Sequence, residues 1–352
     1  MSAYFKLVNF IENSIFDSKR ESPMKNILMI ICTSSALYSA HPDQVNEESN
    51  PQYVQEIVTI DPKFTVQQVS FPGEMQFPAP IFAPPHKSPF LAVGLSSLIP
   101  GLGHAYLGDM RTAGSLVGTT GVSAGLVIFS HGDESAISAG AATLQNTWLY
   151  GIYAAYRDVR IYNGESGYRY AMPTDSLGNL ASAPFRPSVL KKPEVWGGLL
   201  GALGAAAGIS YFFYSPDAHI HSSASKSAIL PVLALPVGIG EEAFFRGYLQ
   251  SQLSESLTPW GGIIVSSLAF GAVHIPNAWG LEPAEQRLYY TVSLPFITGF
   301  GVYCGWLAHK NHSLKEGVAL HTWYDGILFA VSAAANQTAV TGRPGFAIDI
   351  PF

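Results

Sequence analysis

The sequence predicts an all-α fold, a polytopic transmembrane helical bundle of about eight membrane segments after an N-terminal signal or anchor. Only 12% of the 352 residues are charged and 48% are hydrophobic, whereas about 25% charged residues is usual in a soluble domain. The 34 glycines suit helices that approach one another closely in a membrane. We therefore expect a multi-pass membrane protein in contact with the lipid bilayer, and we place it in a bacterial inner membrane.

Charge, motifs and cysteine content exclude several classes of function. The net charge of −6 and the lack of a basic patch with interleaved aromatic residues argue against a nucleic-acid partner. Cys32 lies in a predicted targeting segment and Cys304 in an apolar segment, so no disulfide is expected. The sequence contains no HExxH, CxxC or glycine-rich phosphate loop. A soluble zinc protease of the HExxH type is therefore unsupported.

The first 88 residues predict targeting and linker segments. Residues 1–40 form an N-terminal extension followed by a signal peptide or anchor, because MKNILMIICTSSALYSA combines a lysine, a short apolar core and small residues. Met24 is a candidate start, and an uncleaved anchor helix is the alternative. Residues 41–88 are polar and then proline-rich, which predicts an extracytoplasmic linker. Its alternating stretch YVQEIVTI could form a short strand.

Residues 89–160 predict a first helical membrane module, whose role the residues do not reveal. Three apolar stretches follow one another there, and the first ends in the turn Pro100-Gly101-Leu102-Gly103-His104-Ala105-Tyr106. This turn resembles that of small bacterial membrane modules with a Pro-Gly-x-Gly-x-x-Tyr hairpin. His104 has no histidine or carboxylate beside it at ligand spacing. We interpret His104 as a turn or interface residue.

The next segment, residues 161–193, predicts a basic cytoplasmic loop, since lysine and arginine are enriched on the cytoplasmic side of membrane proteins. A membrane domain of residues 194–336 and a tail of residues 337–352 follow. Its apolar segments predict spans near 195–214, 227–249, 259–277, 288–308 and 314–335. The resulting orientation places Lys310 and Lys315 inside the cell and His219 and His221 outside. We interpret these two histidines as part of a solvated turn rather than as a metal clip.

Ionisable residues interrupt three of these apolar segments. An ionisable side chain at membrane depth costs a few kcal/mol unless it is paired or faces a polar cavity. Glu242 and Arg246 lie four positions apart and share a helix face, whereas Glu241 is turned about 100° away. The spacing predicts a structural ion pair between Glu242 and Arg246. It leaves Glu241 as a free acid that faces a cavity.

Two later segments contribute histidines. His274 follows Phe270 by four positions, and His321 and Asp325 lie one helical turn apart. A carboxylate and an imidazole can take a proton from water while further groups stabilise the resulting oxyanion. A buried ion-pair cluster that only fixes helix packing is the structural alternative, but it leaves Glu241 without a partner. The residues therefore predict a water-activating site formed by Glu241, His274, His321 and Asp325.

These motifs carry a family resemblance. Glu241-Glu242-x-x-x-Arg246, Phe270-x-x-x-His274 and His321-x-x-x-Asp325, in this order on successive apolar segments, resemble the signature motifs of the CPBP (also called Abi) family of intramembrane proteases, which includes the CAAX prenyl endopeptidases. The resemblance covers roughly residues 195–335. It implies that Glu241 and His274 activate the attacking water. It also implies that His321 and the residue one turn later stabilise the oxyanion, with Phe270 beside the site.

Two features of the expected site stay open at this point. Many relatives carry asparagine where this chain has Asp325, and an ionised aspartate cannot donate a hydrogen bond to an oxyanion. We therefore interpret Asp325 as orienting His321, unless burial keeps it protonated. No cofactor is certain. Glu241, His274 and His321 could complete a three-ligand zinc site, and the family is often labelled metalloprotease, but a metal-free glutamate mechanism uses the same side chains and is slightly preferred.

The predicted function is thus an intramembrane endopeptidase that acts on a peptide or protein substrate at the membrane. A non-catalytic membrane scaffold or partner-binding protein is the alternative, with the polar residues serving helix association. A transporter that uses intramembrane carboxylates as a proton relay is a third hypothesis. The sequence shows no inverted repeats with paired broken helices, which argues against this third hypothesis.

Overall fold

The structure, a computed structural model, describes residues 85–213 and 230–341. Most of these residues are helical, and no strand occurs among them. Several predictions fall outside the described residues and stay predictions: the signal or anchor of residues 1–40, most of the 41–88 linker with its alternating stretch, His219, His221 and residues 342–352.

The first module contains four helices whose ends are fixed by local signals. Asp109 accepts a hydrogen bond from the N–H of Thr112 at 3.0 Å, and Asp133 accepts one from Ser135 at 2.8 Å. Such side-chain caps satisfy N–H groups that a helix leaves unpaired at its start. Gly101 and Gly108 take left-handed conformations at φ 98° and 91°, where glycine is favoured. The helices are α1 (Pro89–Leu98), α2 (Leu102–Leu107), α3 (Met110–Ile128) and α4 (Glu134–Tyr162).

The connection to the second half, residues 161–193, contains short helical segments, and its predicted cytoplasmic location stays a prediction. It carries two short helices, α5 (Leu177–Ser182) and α6 (Pro187–Leu190), with a 3-10 turn at Ala183–Phe185. Leu180 is fully buried, and Lys192 Nζ lies 2.7 Å from Glu316 Oε1. The two helices include the few apolar residues that lie between the basic ones. Those residues pack against the bundle.

The second half consists of helices that coincide with the five predicted spans. Residues 230–256 form one continuous helical run that changes pitch in the middle, and the last helix extends into the predicted tail. The elements are α7 (Pro193–Phe213), α8 (Leu230–Glu242), a π-helical segment (Ala243–Leu249), α9 (Gln250–Ser256), α10 (Pro259–Val273), a 3-10 turn (Ile275–Ala278), α11 (Pro283–Leu288), a second π-helical segment (Tyr289–Ser293), α12 (Leu294–Asn311) and α13 (Lys315–Thr341).

Three helical stretches of the described chain are long and apolar enough to cross a membrane: Pro193–Phe213, Pro259–Ala278 and Pro283–Asn311. Large apolar side chains on their outer faces are exposed, for example Leu200 at 65% and Leu268 at 57%, which suits contact with lipid. The run from α8 to α9 and helix α13 are not among these three, and they carry the site residues Glu241, Glu242, Arg246, His321 and Asp325. The helical, membrane-spanning class is confirmed, and the count of eight segments stays a prediction.

Helix α8 lies between α4 of the first module and α13 of the second half. Glycines make both crossings close. A Cβ at Gly240 would lie 2.8 Å from Asn146 Cα on α4, and one at Gly238 would lie 2.8 Å from Thr322 Oγ1 on α13. Tyr153 of α4 also shares a buried cluster with Ile239 of α8. Helix α4 of the first module therefore packs directly against the helix that carries Glu241 and Glu242.

Candidate active site

The helix that carries the two glutamates changes pitch directly after them. Residues Ala243–Leu249 are π-helical, and such segments occur frequently at functional sites. Pro236 lies inside α8, where it removes a backbone hydrogen bond and bends the helix. The two irregularities flank the glutamates.

Glu242 forms the centre of a buried polar cluster. Arg246 Nη1 lies 3.2 Å from Glu242 Oε1, with side chains 0% and 1% exposed. The contact predicted from their four-residue spacing is therefore present. His321 Nδ1 lies 2.9 Å from the same oxygen. The sequence did not predict that His321 joins this cluster. His321 lies 79 residues along the chain from Glu242, and no helical spacing rule relates residues so far apart.

Glu241 is the more accessible of the two carboxylates, with 15% of its side chain exposed. Its Oε2 lies 3.8 Å from His321 Nε2, and its charge interacts electrostatically with the ring of His274. The structure thus places Glu241 near His321 and within electrostatic range of His274, on three separate helices. A partly exposed acid and two imidazoles therefore occupy the same region of the bundle.

The ring of His274 is held in a defined orientation. His274 caps the end of α10, and its Nδ1 lies 2.7 Å from the carbonyl oxygen of Phe270. Because a carbonyl can only accept, Nδ1 carries the proton and Nε2 presents a lone pair. The Phe270 ring lies 4.7 Å from the His274 ring and 6.1 Å from the His321 ring, centroid to centroid. Phe270 therefore packs beside both imidazoles.

His321 has carboxylates at both ring nitrogens. Nδ1 faces Glu242, and Nε2 lies 3.3 Å from Asp325 Oδ2. The distance agrees with the orienting role predicted for Asp325, and the role itself stays a prediction. Both nitrogens donate hydrogen bonds when an imidazole is doubly protonated. A ring between two carboxylates is therefore suited to the imidazolium state.

The side chains do not fit the zinc site that the sequence left open. Within residues 85–213 and 230–341, no group of three or more His, Cys, Asp or Glu side chains is arranged to hold a metal ion. Zinc binds an imidazole through a nitrogen lone pair. Both nitrogens of His321 instead face carboxylates, so His321 does not offer a lone pair toward a centre shared with Glu241 and His274. The metalloprotease prediction is not supported.

Small and aromatic neighbours of the site carried no recognisable signal in the sequence. The Cys304 thiol lies beside Glu242, and the Phe300 ring centroid lies 5.3 Å from that of His321. A Cβ at Gly317 would lie 3.0 Å from Glu242 Oε2, so this glycine leaves space for the buried carboxylate. Tyr289 donates from its hydroxyl to the carbonyl of His274 at 3.0 Å. All four depend on helix crossings rather than on local spacing.

Comparison with known families gives a match for residues 223–327, to the family described as Type II CAAX prenyl endopeptidase Rce1-like. The matched range contains all the predicted site residues and lies within the range of the motif resemblance. Helices α1 to α4 lie outside it. No curated protein and no solved structure matches the chain. The motif resemblance is confirmed: residues 223–327 match the model of the Rce1-like type II CAAX prenyl endopeptidases, which agrees with the family that the motifs indicate.

Proposed function

We propose that the protein is an intramembrane endopeptidase that hydrolyses a peptide bond with water activated by Glu241 and His274. The observation that carries the proposal is the meeting of Glu241 with His274 and His321 among apolar helices. The family match supports endopeptidase chemistry in this part of the chain. A scaffold would need Glu242 and Arg246 to fix helix packing, but it would not need Glu241.

The proposed reaction uses Glu241 as the general base. A water held between Glu241 and Nε2 of His274 loses a proton to the carboxylate, and its oxygen bonds to the carbonyl carbon of the substrate. The carbonyl π electrons move to oxygen and form a tetrahedral oxyanion. When the oxyanion collapses, the C–N bond breaks, and Glu241 passes its proton to the leaving amine nitrogen. One water is consumed for each peptide bond.

His321 supplies positive charge to the oxyanion in this proposal. The ring is held by Glu242 at Nδ1 and Asp325 at Nε2, so its positive charge acts on the oxyanion through space and not through a donated hydrogen bond. Arg246 balances Glu242, so the anchoring carboxylate stays ionised. Asp325 and Glu242 are therefore positioning residues, which act through His321.

The substrate class that we propose is a peptide or protein segment at the membrane. The matched family is described as prenyl endopeptidases, so a prenylated peptide that ends in a CAAX motif is the first substrate to test. The same peptide without its prenyl group is the matched comparison. Faster cleavage of the prenylated peptide would assign the family's substrate class to this chain.

The test is cleavage of these peptides by the purified protein in liposomes, with products identified by mass spectrometry. We expect Glu241→Gln, His274→Ala and His321→Ala each to lower kcat/KM by at least about a hundredfold, a usual contribution of general acid–base catalysis and of oxyanion stabilisation. Glu194→Gln is the control, since Glu194 on α7 has a similarly accessible side chain, 13% exposed, and pairs with Lys310 instead. The control should retain activity within about twofold. Retained cleavage in all three site variants would remove the proposal.

A further inference from the structure

A line of buried polar side chains leaves the site along the run from α8 to α9. Every fourth residue there is polar: Glu242, Arg246, Gln250 and Ser254, each less than one-tenth exposed. We call these four residues the polar stripe. The proposed catalytic mechanism involves only Glu242 and Arg246. It does not explain why Gln250 and Ser254 are buried further along the same helical run.

Most polar atoms of the stripe lack a hydrogen-bond partner within the described protein. Arg246 Nε and Nη2, Gln250 Oε1 and Ser254 Oγ are buried without one, as is Ser267 Oγ on the facing helix α10. Leaving buried polar groups unsatisfied is costly, and in folded proteins ordered water commonly supplies the missing partners. These atoms therefore need hydrogen-bond partners that the described side chains do not supply.

Glycines on the facing helices line the stripe. A Cβ at Gly301 of α12 would lie 3.0 Å from Arg246 Nη2, and one at Gly305 would lie 2.7 Å from Gln250 Oε1. A Cβ at Gly262 of α10 would contact Ser254 Oγ. Each member beyond Glu242 therefore faces a residue without a side chain. A side chain at any of these three positions would collide with a polar atom of the stripe, so the helices approach closely here.

The stripe continues toward the exposed end of α12. The Tyr170 hydroxyl lies beside Gln250 and 3.5 Å from His309 Nδ1. The His309 ring lies 6.1 Å from the ring of His312, which is exposed. Polar groups thus follow one another from Glu242 to the surface at the His309 to His312 end.

We propose that the polar stripe lines a water-filled conduit that connects the catalytic site with the aqueous phase at the His309 to His312 end of α12. The inference rests on the proposed function, because a hydrolase among apolar helices consumes water that hydrocarbon does not supply. Arg246 and Gln250 then serve as binding groups for water. Glu242 forms the inner end of the conduit, one residue from the proposed base.

Radiolytic hydroxyl-radical labelling in liposomes tests this directly, because radicals formed from buried water oxidise the side chains beside it. Ser266 and Ser267 are neighbours on α10 and both are 0% exposed. Ser266 Oγ donates to the Ile263 carbonyl at 3.1 Å, whereas Ser267 Oγ has no partner. We expect the thiol introduced by Ser267→Cys to be oxidised at least tenfold faster than the one introduced by Ser266→Cys. Equally slow oxidation of both would overturn the conduit.

Two further variants keep this test separate from the test of catalysis. Adding Gln250→Leu to Ser267→Cys should slow oxidation at least fivefold, because it replaces the central polar side chain by an apolar one of similar length. Adding Glu241→Gln should leave the rate unchanged. If Ser267→Cys does not insert, oxidation of native Cys304 with and without Gln250→Leu is the measurement, and an unchanged rate overturns the conduit. If the protein cleaves peptides but the Ser267→Cys thiol oxidises slowly, the conduit alone is refuted. If that thiol oxidises rapidly but the protein cleaves no peptide, the proposed catalysis alone is refuted.

Discussion

Glu241 and Glu242 are adjacent in sequence, but their surroundings differ. Glu242 is 1% exposed and shares one oxygen with Arg246 and His321. Glu241 keeps 15% of its side chain exposed, and its shortest described ion pair is 3.8 Å long. The Glu242 carboxylate is therefore occupied by its contacts with Arg246 and His321. The Glu241 carboxylate is available to bind a water molecule.

This difference predicts that two isosteric substitutions reduce the free energy of unfolding by very different amounts. Glu242→Gln leaves the buried guanidinium of Arg246 without its counter-charge, and we expect a loss of about 3 to 5 kcal/mol in the free energy of unfolding. Glu241→Gln should change it by less than about 1 kcal/mol. Unfolding in detergent, followed by circular dichroism, measures both. Equal losses would contradict the division between a structural and a catalytic acid.

A second prediction concerns Asp325. Asparagine at this position still accepts a hydrogen bond from His321 Nε2 through its amide oxygen, whereas alanine offers no acceptor. We expect Asp325→Asn to retain cleavage within about tenfold and Asp325→Ala to lose about a hundredfold or more. A shifted pH dependence of kcat in Asp325→Asn would show that Asp325 acts through His321. Equal activity of the two variants would contradict the orienting role.

Spacing rules account for part of this arrangement. The pairs Glu242 with Arg246 and His321 with Asp325 are four residues apart, so the helix period alone predicts their contacts. Glu242 and His321 are 79 residues apart in the sequence, and their contact joins two different helices. It depends on how α8 crosses α13. No local pattern in the sequence encodes that crossing.

At the scale of elements, glycines set how closely α8 approaches its neighbours. A Cβ at Gly240 would meet the backbone of Asn146, with its Cα at 2.8 Å, and backbone atoms cannot move aside as a flexible side chain can. The helices themselves were predictable, because apolar length and flanking prolines mark their positions. The π-helical segments and helices α5 and α6 were not predictable, since they arise where packing outweighs local preference.

The close crossing predicts a specific sensitivity. Gly240→Ala should lower the free energy of unfolding by about 1 to 3 kcal/mol through overpacking and should also reduce cleavage, because Glu241 is the next residue. Gly204→Ala on α7 is the control. A Cβ there meets nothing within 4 Å, so alanine should be neutral or slightly stabilising. The same detergent unfolding assay compares the two, and an equal response would contradict the tight crossing.

At the scale of the whole molecule, the two helical halves share one core. Tyr153 of α4 is fully buried in a cluster that also contains Ile239 of α8 and Val318 of α13. Residues 89–160 and 194–336 were predicted as separate domains because a polar, basic segment divides them in sequence. The shared core could not be predicted. It arises from contacts between helices that are far apart along the chain.

A shared core predicts coupled unfolding of the two halves. Tyr153→Ala should cost about 3 to 5 kcal/mol, as for other large buried aromatic side chains, and should increase protease sensitivity in both halves together. Ile161→Ala on the same helix is the control, since Ile161 is 53% exposed and its loss should cost less than about 1 kcal/mol. Protection of the second half while the first is digested would show that the halves unfold independently.

The central claim is that Glu241 activates water and does not itself attack the substrate. A single turnover in water labelled with oxygen-18 tests it most directly, with both the product and the peptide that contains Glu241 analysed by mass spectrometry. Water attack predicts one oxygen-18 atom in the new carboxyl terminus of the product and none in Glu241. Unlabelled product with oxygen-18 in the Glu241 carboxylate would show that Glu241 forms a covalent intermediate, and would contradict the account.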